Sequence, residues 1–192
     1  MNYYIEVFRN LNGLVTSAFT TYALYEYQFN QNSSLLENNS WVILLNLLID
    51  STMISSPIVI LHHALSLGYC VVLYTNSIEI DMMQNAISII FSSEISTMFL
   101  CVRELSLLHP KTKRKYEFLF AINDFCFVMT FFYFRMYLIP NSVFFDPSFF
   151  HLCPTSDYSF YLLSYGLIGI NVYWSTLIFR GVYNACQLLK IL

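Results

Sequence analysis

Eight residues able to carry charge or make strong hydrogen bonds sit inside long apolar runs of this chain: Asp50, His62, His63, Glu94, Arg103, Asp124, Arg135 and Asn171. Histidine and carboxylate are the side chains that move protons near neutral pH, so His62, His63 and Glu94 are the candidate catalytic residues. Asp50, Arg103, Asp124, Arg135 and Asn171 are candidate polar lining of a shared cavity. His62 and His63 stand side by side in SPIVILHHALSLGY, and at about 100° per residue two neighbours on a helix cannot point the same way. They are therefore a poor chelating pair. No H-x-x-x-H spacing exists either, and no metal site is expected. His62 shares a helical stripe with Ser66 and Tyr69, whereas His63 shares one with Leu67, Cys70 and Tyr74. The first stripe is more polar, which favours His62 as the residue facing a cavity. Ser92, Ser93, Ser96 and Thr97 gather hydroxyls around Glu94.

The solvent around these residues follows from composition. The chain has 192 residues, of which 57% are hydrophobic and 11% charged, with mean hydropathy +0.56. An ordinary soluble domain is about 25% charged. The apolar residues are gathered into runs of membrane-spanning length, which makes this an integral membrane protein of all-α class, a polytopic bundle of about six helices in a single domain over residues 1–192. The expected spans are 11–27, 41–55, 58–74, 83–107, 116–139 and 158–179. The first carries Thr16, Ser17, Thr20, Thr21 and Glu26, so its hydroxyls must bond back to the helix or face other helices. Residues 28–40 read as a polar loop. The 34-residue run 41–74 would make about 51 Å of helix, too long for one crossing. It is split at Pro57, which removes a donor and disfavours helix just before it. The fifth span is expected to stop at Pro140.

Charge placement orients the bundle. With six spans, Arg9, the cluster Lys111, Lys113, Arg114 and Lys115, and the tail residues Arg180 and Lys190 fall on one side, and the three opposite loops hold no lysine or arginine. The positive-inside rule then puts both termini in the cytosol. The basic run HPKTKRK reads as a cytosolic loop and not as a nuclear localisation signal. Two sequons, Asn32-Ser33-Ser34 and Asn38-Asn39-Ser40, lie in the first lumenal loop. No cleavable signal peptide is expected. Five scattered cysteines suggest buried thiols and no disulfide or zinc framework. There is no internal repeat.

An ionisable group near the bilayer centre costs roughly 2.5–3.5 kcal/mol on insertion scales, so eight such positions imply a common polar interior. Arg103, near a span end, can instead snorkel. Asp124 and Arg135 return to one helical face within about 20° but stand about 16 Å apart, the two ends of a polar seam.

The ordered set of an aspartate in one span, HH in the next, then FSSEISTMFLCVREL, FFYFRMYLIP and INVYWSTLIFRG resembles the TLC domain shared by TRAM, Lag1 and CLN8 proteins, from about Asn12 to Lys190. The small TLC-domain-containing proteins are the most similar subgroup; their pattern E-I-S-T-P has Met98 in place of the proline here. The resemblance implies a helical membrane bundle around a lipid-facing cavity, in the endoplasmic reticulum or another endomembrane, acting in lipid synthesis, sensing or transport. Ceramide synthases of this family use an HH pair to transfer an acyl group from acyl-CoA to a sphingoid base, but their downstream H-D-x-x-D pattern is missing from NAISIIFSSEIST. The leading expectation is a protein that senses, regulates or remodels membrane lipid composition, with membrane lipid as its partner, no nucleic acid and no cofactor. The alternative is a ceramide-synthase-like N-acyltransferase with acyl-CoA as co-substrate, His62 or His63 as general base and Glu94 as orienting group. A transporter or channel is weaker, because Pro57 is an isolated interruption without a matching repeat. A homo-oligomer is compatible with the sequence.

Overall fold

The first helix is built inside out. Asn10, Thr16, Ser17 and Thr20 are buried, while Tyr4, Phe8, Leu11, Val15 and Phe19 on the same helix are exposed. A helix in water buries its apolar stripe; this one turns it outward, as a segment does when its surroundings are hydrocarbon. Two of its hydroxyls are satisfied within the helix, Thr20 Oγ1 donating to the Thr16 carbonyl and Thr21 Oγ1 to that of Ser17, each at 2.8 Å.

The computed structural model describes residues 3–31, 33–53, 56–75, 80–145 and 158–189, and among them there is helix and no strand. The helices are α1 (Tyr3–Asn30), α2 (Ser33–Met53), α3 (Pro57–Thr75), α4 (Ile80–Phe91), α5 (Glu94–Leu108), α6 (Pro110–Lys115), α7 (Glu117–Thr130) and α8 (Tyr158–Leu189). Between α7 and residue 145 the chain runs on in π-helical turns, Phe131–Leu138 and Pro140–Phe144. Among the described residues three helical stretches are long and apolar enough to cross a membrane, Gln84–Leu108, Glu117–Val143 and Tyr161–Asn184, and Ser40–Asp50 and Pro57–Tyr69 are shorter apolar helices.

Several expected boundaries move. The polar loop expected over 28–40 is mostly helix: α1 runs to Asn30, α2 starts at Ser33, and Gln31 turns the chain with φ 55. A helix can carry polar side chains beyond the membrane at no cost in backbone hydrogen bonds, and one left-handed residue is enough to end it. Pro57 does start α3, where its missing N–H is not needed. The single span expected over 83–107 is wound tight at Ser92 and Ser93, where Ser93 N bonds the Ile90 carbonyl and Ile95 N that of Ser92. Serine hydroxyls reinforce the turn: Ser92 Oγ donates to the Ile89 carbonyl and Ser96 Oγ to that of Ser93. The expected fifth span does not stop at Pro140. Asn141 Nδ2 donates to the Tyr137 carbonyl at 2.7 Å, and Phe145 N reaches back to the Pro140 carbonyl at 2.8 Å, so hydrogen-bonded turns continue past the proline. The basic run forms the short, largely exposed α6. The side chains of Cys70, Cys153 and Cys186 and the sequon residue Asn32 lie outside the described residues, whereas Cys101 and Cys126 are free thiols.

Two antiparallel pairs set the frame. Tyr3 Oη lies 3.1 Å from His109 Nε2 and Ser17 Oγ 3.2 Å from Glu94 Oε2, so α1 descends along α5. Gly13 makes this approach close, since a Cβ there would stand 2.9 Å from Cys101 Sγ. On the other side α3 and α8 interlock through Gly68 against Leu163 and Gly166 against Leu65. Small residues let helices approach where the solvent is itself apolar and cannot drive them together. Asn12 Nδ2 and Asn46 Oδ1 join α1 to α2 by a short hydrogen bond. Asn46→Leu is expected to lower stability by about 0.6–1.7 kcal/mol, read by thermal unfolding of the protein in detergent.

One half of the bundle is filled. Ile43, Tyr69, Ala86, Ile87, Phe91, Ile139 and Val143 form a buried apolar cluster, with Leu24, Tyr27 and Leu163 packed around it. The other half, which holds the first turns of α1, the end of α2 and the start of α3, contains a cavity.

Candidate functional site

The cavity measures about 700 Å³ and draws its walls from α1, α2, α3, α5, α7 and α8. Along α5 it extends from Glu94 to Glu104, ten residues or about 15 Å of helix. It therefore runs from the middle of the bundle toward the end that carries His109 and α6, and is not confined to mid-depth. Both histidines line it, together with Asp50, Glu94, Arg103, Asp124 and Arg135. Asn171 is the exception among the expected lining residues. Its side chain is buried in α8 with Oδ1 unpartnered among the described residues, and its carbonyl receives the Ser175 hydroxyl at 2.8 Å.

Three polar centres are arranged along the cavity. Near the α2–α3 junction, Asp50 Oδ2 lies 3.5 Å from His63 Nε2 and Oδ1 lies 3.8 Å from Arg9 Nε. A carboxylate at the end of α2 thus bridges an imidazole on α3 and a guanidinium on α1. Towards the outer end, Arg103 Nη1 is 2.8 Å from Glu104 Oε1 and Arg103 Nε is 3.6 Å from Asp124 Oδ1. These three side chains are more than a third exposed, which fits an arginine whose head reaches for water.

At the inner end Arg135 is held from below. Its Nε donates to Ser96 Oγ and its Nη2 to Thr97 Oγ1, both at 2.9 Å, and Nη2 also approaches the Ser93 carbonyl at 3.5 Å. The tight turn at Ser92 and Ser93 presents these acceptors, and the π-helical segment carries Arg135. Rings of Phe131 and Trp174 flank the guanidinium, their centroids 5.9 and 6.0 Å from Cζ.

The two histidines divide the space differently from their stripes. His62 packs edge-on against Trp174 at 4.8 Å between ring centroids, and its Nδ1 is buried without a hydrogen-bond partner among the described residues. His63, on the less polar stripe, is the one beside a carboxylate. That carboxylate is Asp50; Glu94 instead accepts from Ser17 on α1. Among the described residues no group of three or more His, Cys, Asp or Glu is placed to hold a metal ion.

Sequence reasoning missed Arg9, which it assigned to the cytosolic flank, and gave Trp174 no role beyond a motif letter. The signal for Arg9 was present in the stripe Arg9, Gly13, Ser17, Thr20, whose spacings of four, four and three put a cation at the end of a small, polar helix face.

A family model described as the TLC domain matches residues 5–180, which takes in all of the cavity lining except Gly181 and Val182. No curated protein and no solved structure matches the chain. A match over most of the chain, on a bundle that turns its apolar faces outward and encloses ionisable residues, identifies a membrane protein that belongs to the TLC domain family.

Proposed function

We propose that this protein handles a membrane lipid, and that it senses, regulates or remodels membrane lipid composition through the cavity. The observation that carries this reading is the mixed lining of the cavity. Arg9, Asp50, His63 and Arg135 supply charged and imidazole groups, whereas Leu100, Phe127, Val128, Leu177 and Ile178 provide apolar surface. A volume near 700 Å³ is within the roughly 300–1,000 Å³ of small-molecule sites. A lipid has the same division, a polar head joined to hydrocarbon. The setting is an endomembrane such as the endoplasmic reticulum, crossed about six times with both termini cytosolic. The Tyr3–His109 contact supports this topology, because it joins the N-terminus to the basic end of the bundle.

The Asp50–His63 contact favours one enzymatic reading, acyl transfer from acyl-CoA to a sphingoid base. In that reaction the amine attacks the thioester carbonyl, the new C–N bond forms, the C–S bond breaks, and the amine proton passes to His63 while the thiolate leaves. Asp50 orients the imidazole and stabilises the imidazolium that forms. Glu94 loses the orienting role to Asp50, and His62 acts as a wall beside Trp174.

One experiment separates the two readings. The chain is expressed in cells lacking endogenous ceramide synthesis, sphingoid base and acyl-CoA are supplied, and lipids are measured by mass spectrometry for the wild type, His62→Ala and His63→Ala. New ceramide that falls at least about 100-fold in His63→Ala, in keeping with general-base contributions of about 10²–10⁴, establishes the transferase. No ceramide together with an altered phospholipid profile supports the regulatory reading. An unchanged lipid profile, with no lipid bound to the purified protein, overturns both.

A further inference from the structure

The cavity holds three arginines, and two of them are matched by carboxylates of the protein: Arg9 by Asp50, and Arg103 by Glu104 and Asp124. Arg135 is the most deeply placed of the three, with a relative exposure of 9%. Among the described residues it has no carboxylate at ion-pair distance. Its partners are two hydroxyls and a carbonyl, and they occupy Nε and Nη2. The Nη1 edge has no hydrogen-bond partner among the described residues. Glu94, the remaining carboxylate of the lining, acts on the Arg135 charge from beyond ion-pair distance and accepts from Ser17 of α1. A buried cation held by neutral groups keeps its charge available to whatever enters the cavity.

We infer that Arg135 is an oxyanion seat, a site where the inner end of the cavity receives the carboxylate or phosphate oxygens of an amphiphile whose chain lies along the apolar wall. The inference rests on the lipid-handling reading and adds the chemical class of the ligand's head. Two features besides the lack of a carboxylate at ion-pair distance among the described residues support it. Ser96 and Thr97 fix the guanidinium so that little side-chain freedom remains to be lost on binding. Phe131 and Trp174 flank it, and burial among such rings strengthens a charged contact. A guanidinium offers planar, two-pronged donation to carboxylate or phosphate oxygens.

The protein contains two tryptophans. Trp41 is exposed on α2, so Trp41→Phe leaves Trp174 as a fluorescent reporter beside the site. In detergent, at a pH where the acid is ionised and at equal mole fraction in the micelle, quenching is compared for dibromostearate, its uncharged methyl ester and a brominated phosphatidic acid. Dibromostearate or the phosphatidic acid is expected to quench Trp174 at about 10-fold lower concentration than the ester, the scale of one charge-assisted contact. Arg135→Gln is expected to remove that preference, and Arg135→Lys to keep part of it.

Whichever acid quenches at lower concentration identifies a free fatty acid or a phospholipid as the source of the oxyanion. Displacement by inorganic phosphate would show that the head alone is recognised. Equal quenching by acids and ester in the wild type overturns the oxyanion seat and leaves the lipid-binding cavity standing. Absence of quenching by every probe overturns both. If Arg135→Gln does not fold, the comparison of acid with ester on wild-type protein decides the matter by itself.

Discussion

Gly13→Leu is expected to destabilise the protein by about 3 kcal/mol, at the upper end of overpacking costs. A bare Cβ at this position already stands 2.9 Å from Cys101 Sγ, and Cys101 is buried on a short side chain that has little room to swing away. The strain therefore passes into the separation of α1 and α5, which also carries the Ser17–Glu94 and Tyr3–His109 contacts. Two controls make the result specific. A Cβ at Gly169 meets nothing within 4 Å among the described residues, so Gly169→Leu is expected to leave the protein no less stable and to gain up to about 0.8 kcal/mol of helix propensity. Combining Gly13→Ala with Cys101→Ala removes the obstruction. In that background alanine at position 13 is expected to stabilise by up to about 1 kcal/mol, its helix-propensity advantage over glycine. Thermal unfolding in detergent followed by far-ultraviolet helicity checks the set. Equal melting of the Gly13→Leu and Gly169→Leu proteins would mean that α1 does not lie on α5 at this separation.

Asp50→Leu is the second large effect. One carboxylate faces both Arg9 and His63 at the cavity wall, with side chains 20%, 24% and 10% exposed. Its removal leaves the Arg9 charge half-buried without a counter-ion. Breaking a fully buried pair costs about 3–5 kcal/mol; the partial exposure of Arg9 and Asp50 reduces this, so about 2 kcal/mol is expected. Arg9→Leu in the same chain removes the stranded cation, and the double variant is expected to recover more than half of the loss. Asp50→Asn keeps the shape and an acceptor oxygen, and is expected to fall between the wild type and Asp50→Leu. Simple additivity of the two leucine substitutions would show that Arg9 and Asp50 do not interact.

The fates of Glu94 and Asp50 show how far residue spacing reached. Both stood out as carboxylates in apolar runs, and both line the cavity. Spacing along one helix has no information about which neighbouring helix lies opposite, so the hydroxyl-rich surroundings of Glu94 made it the apparent partner of the histidines. The antiparallel pairing of α1 with α5 gave Glu94 to Ser17, and the short connection between α2 and α3 brought Asp50 to His63. The choice of His62 over His63 rested on the polarity of one helical stripe; packing placed both rings on the cavity, with His62 against Trp174. The distance between Asp124 and Arg135 was counted on an ideal α-helix, whereas Arg135 stands within π-helical turns. Their seam exists as two ends of one cavity.

What the sequence determined by itself is the environment of the chain and the class of its fold. Hydropathy is additive over residues, so an 11% charged chain declares its solvent before any contact forms, and the ordered motifs from the HH pair to INVYWSTLIFRG carried the family. The sequence also named seven of the charged or imidazole groups at the site, because burying each in hydrocarbon costs roughly 2.5–3.5 kcal/mol and such residues persist only around a shared interior. Tertiary structure alone decided the pairing of those groups, the inclusion of Arg9, the exclusion of Asn171 from the wall and the absence, among the described residues, of a carboxylate at ion-pair distance from Arg135. Ion pairs and hydrogen bonds are made over about 3–4 Å between residues tens of positions apart, and only the relative depth and rotation of packed helices sets such distances.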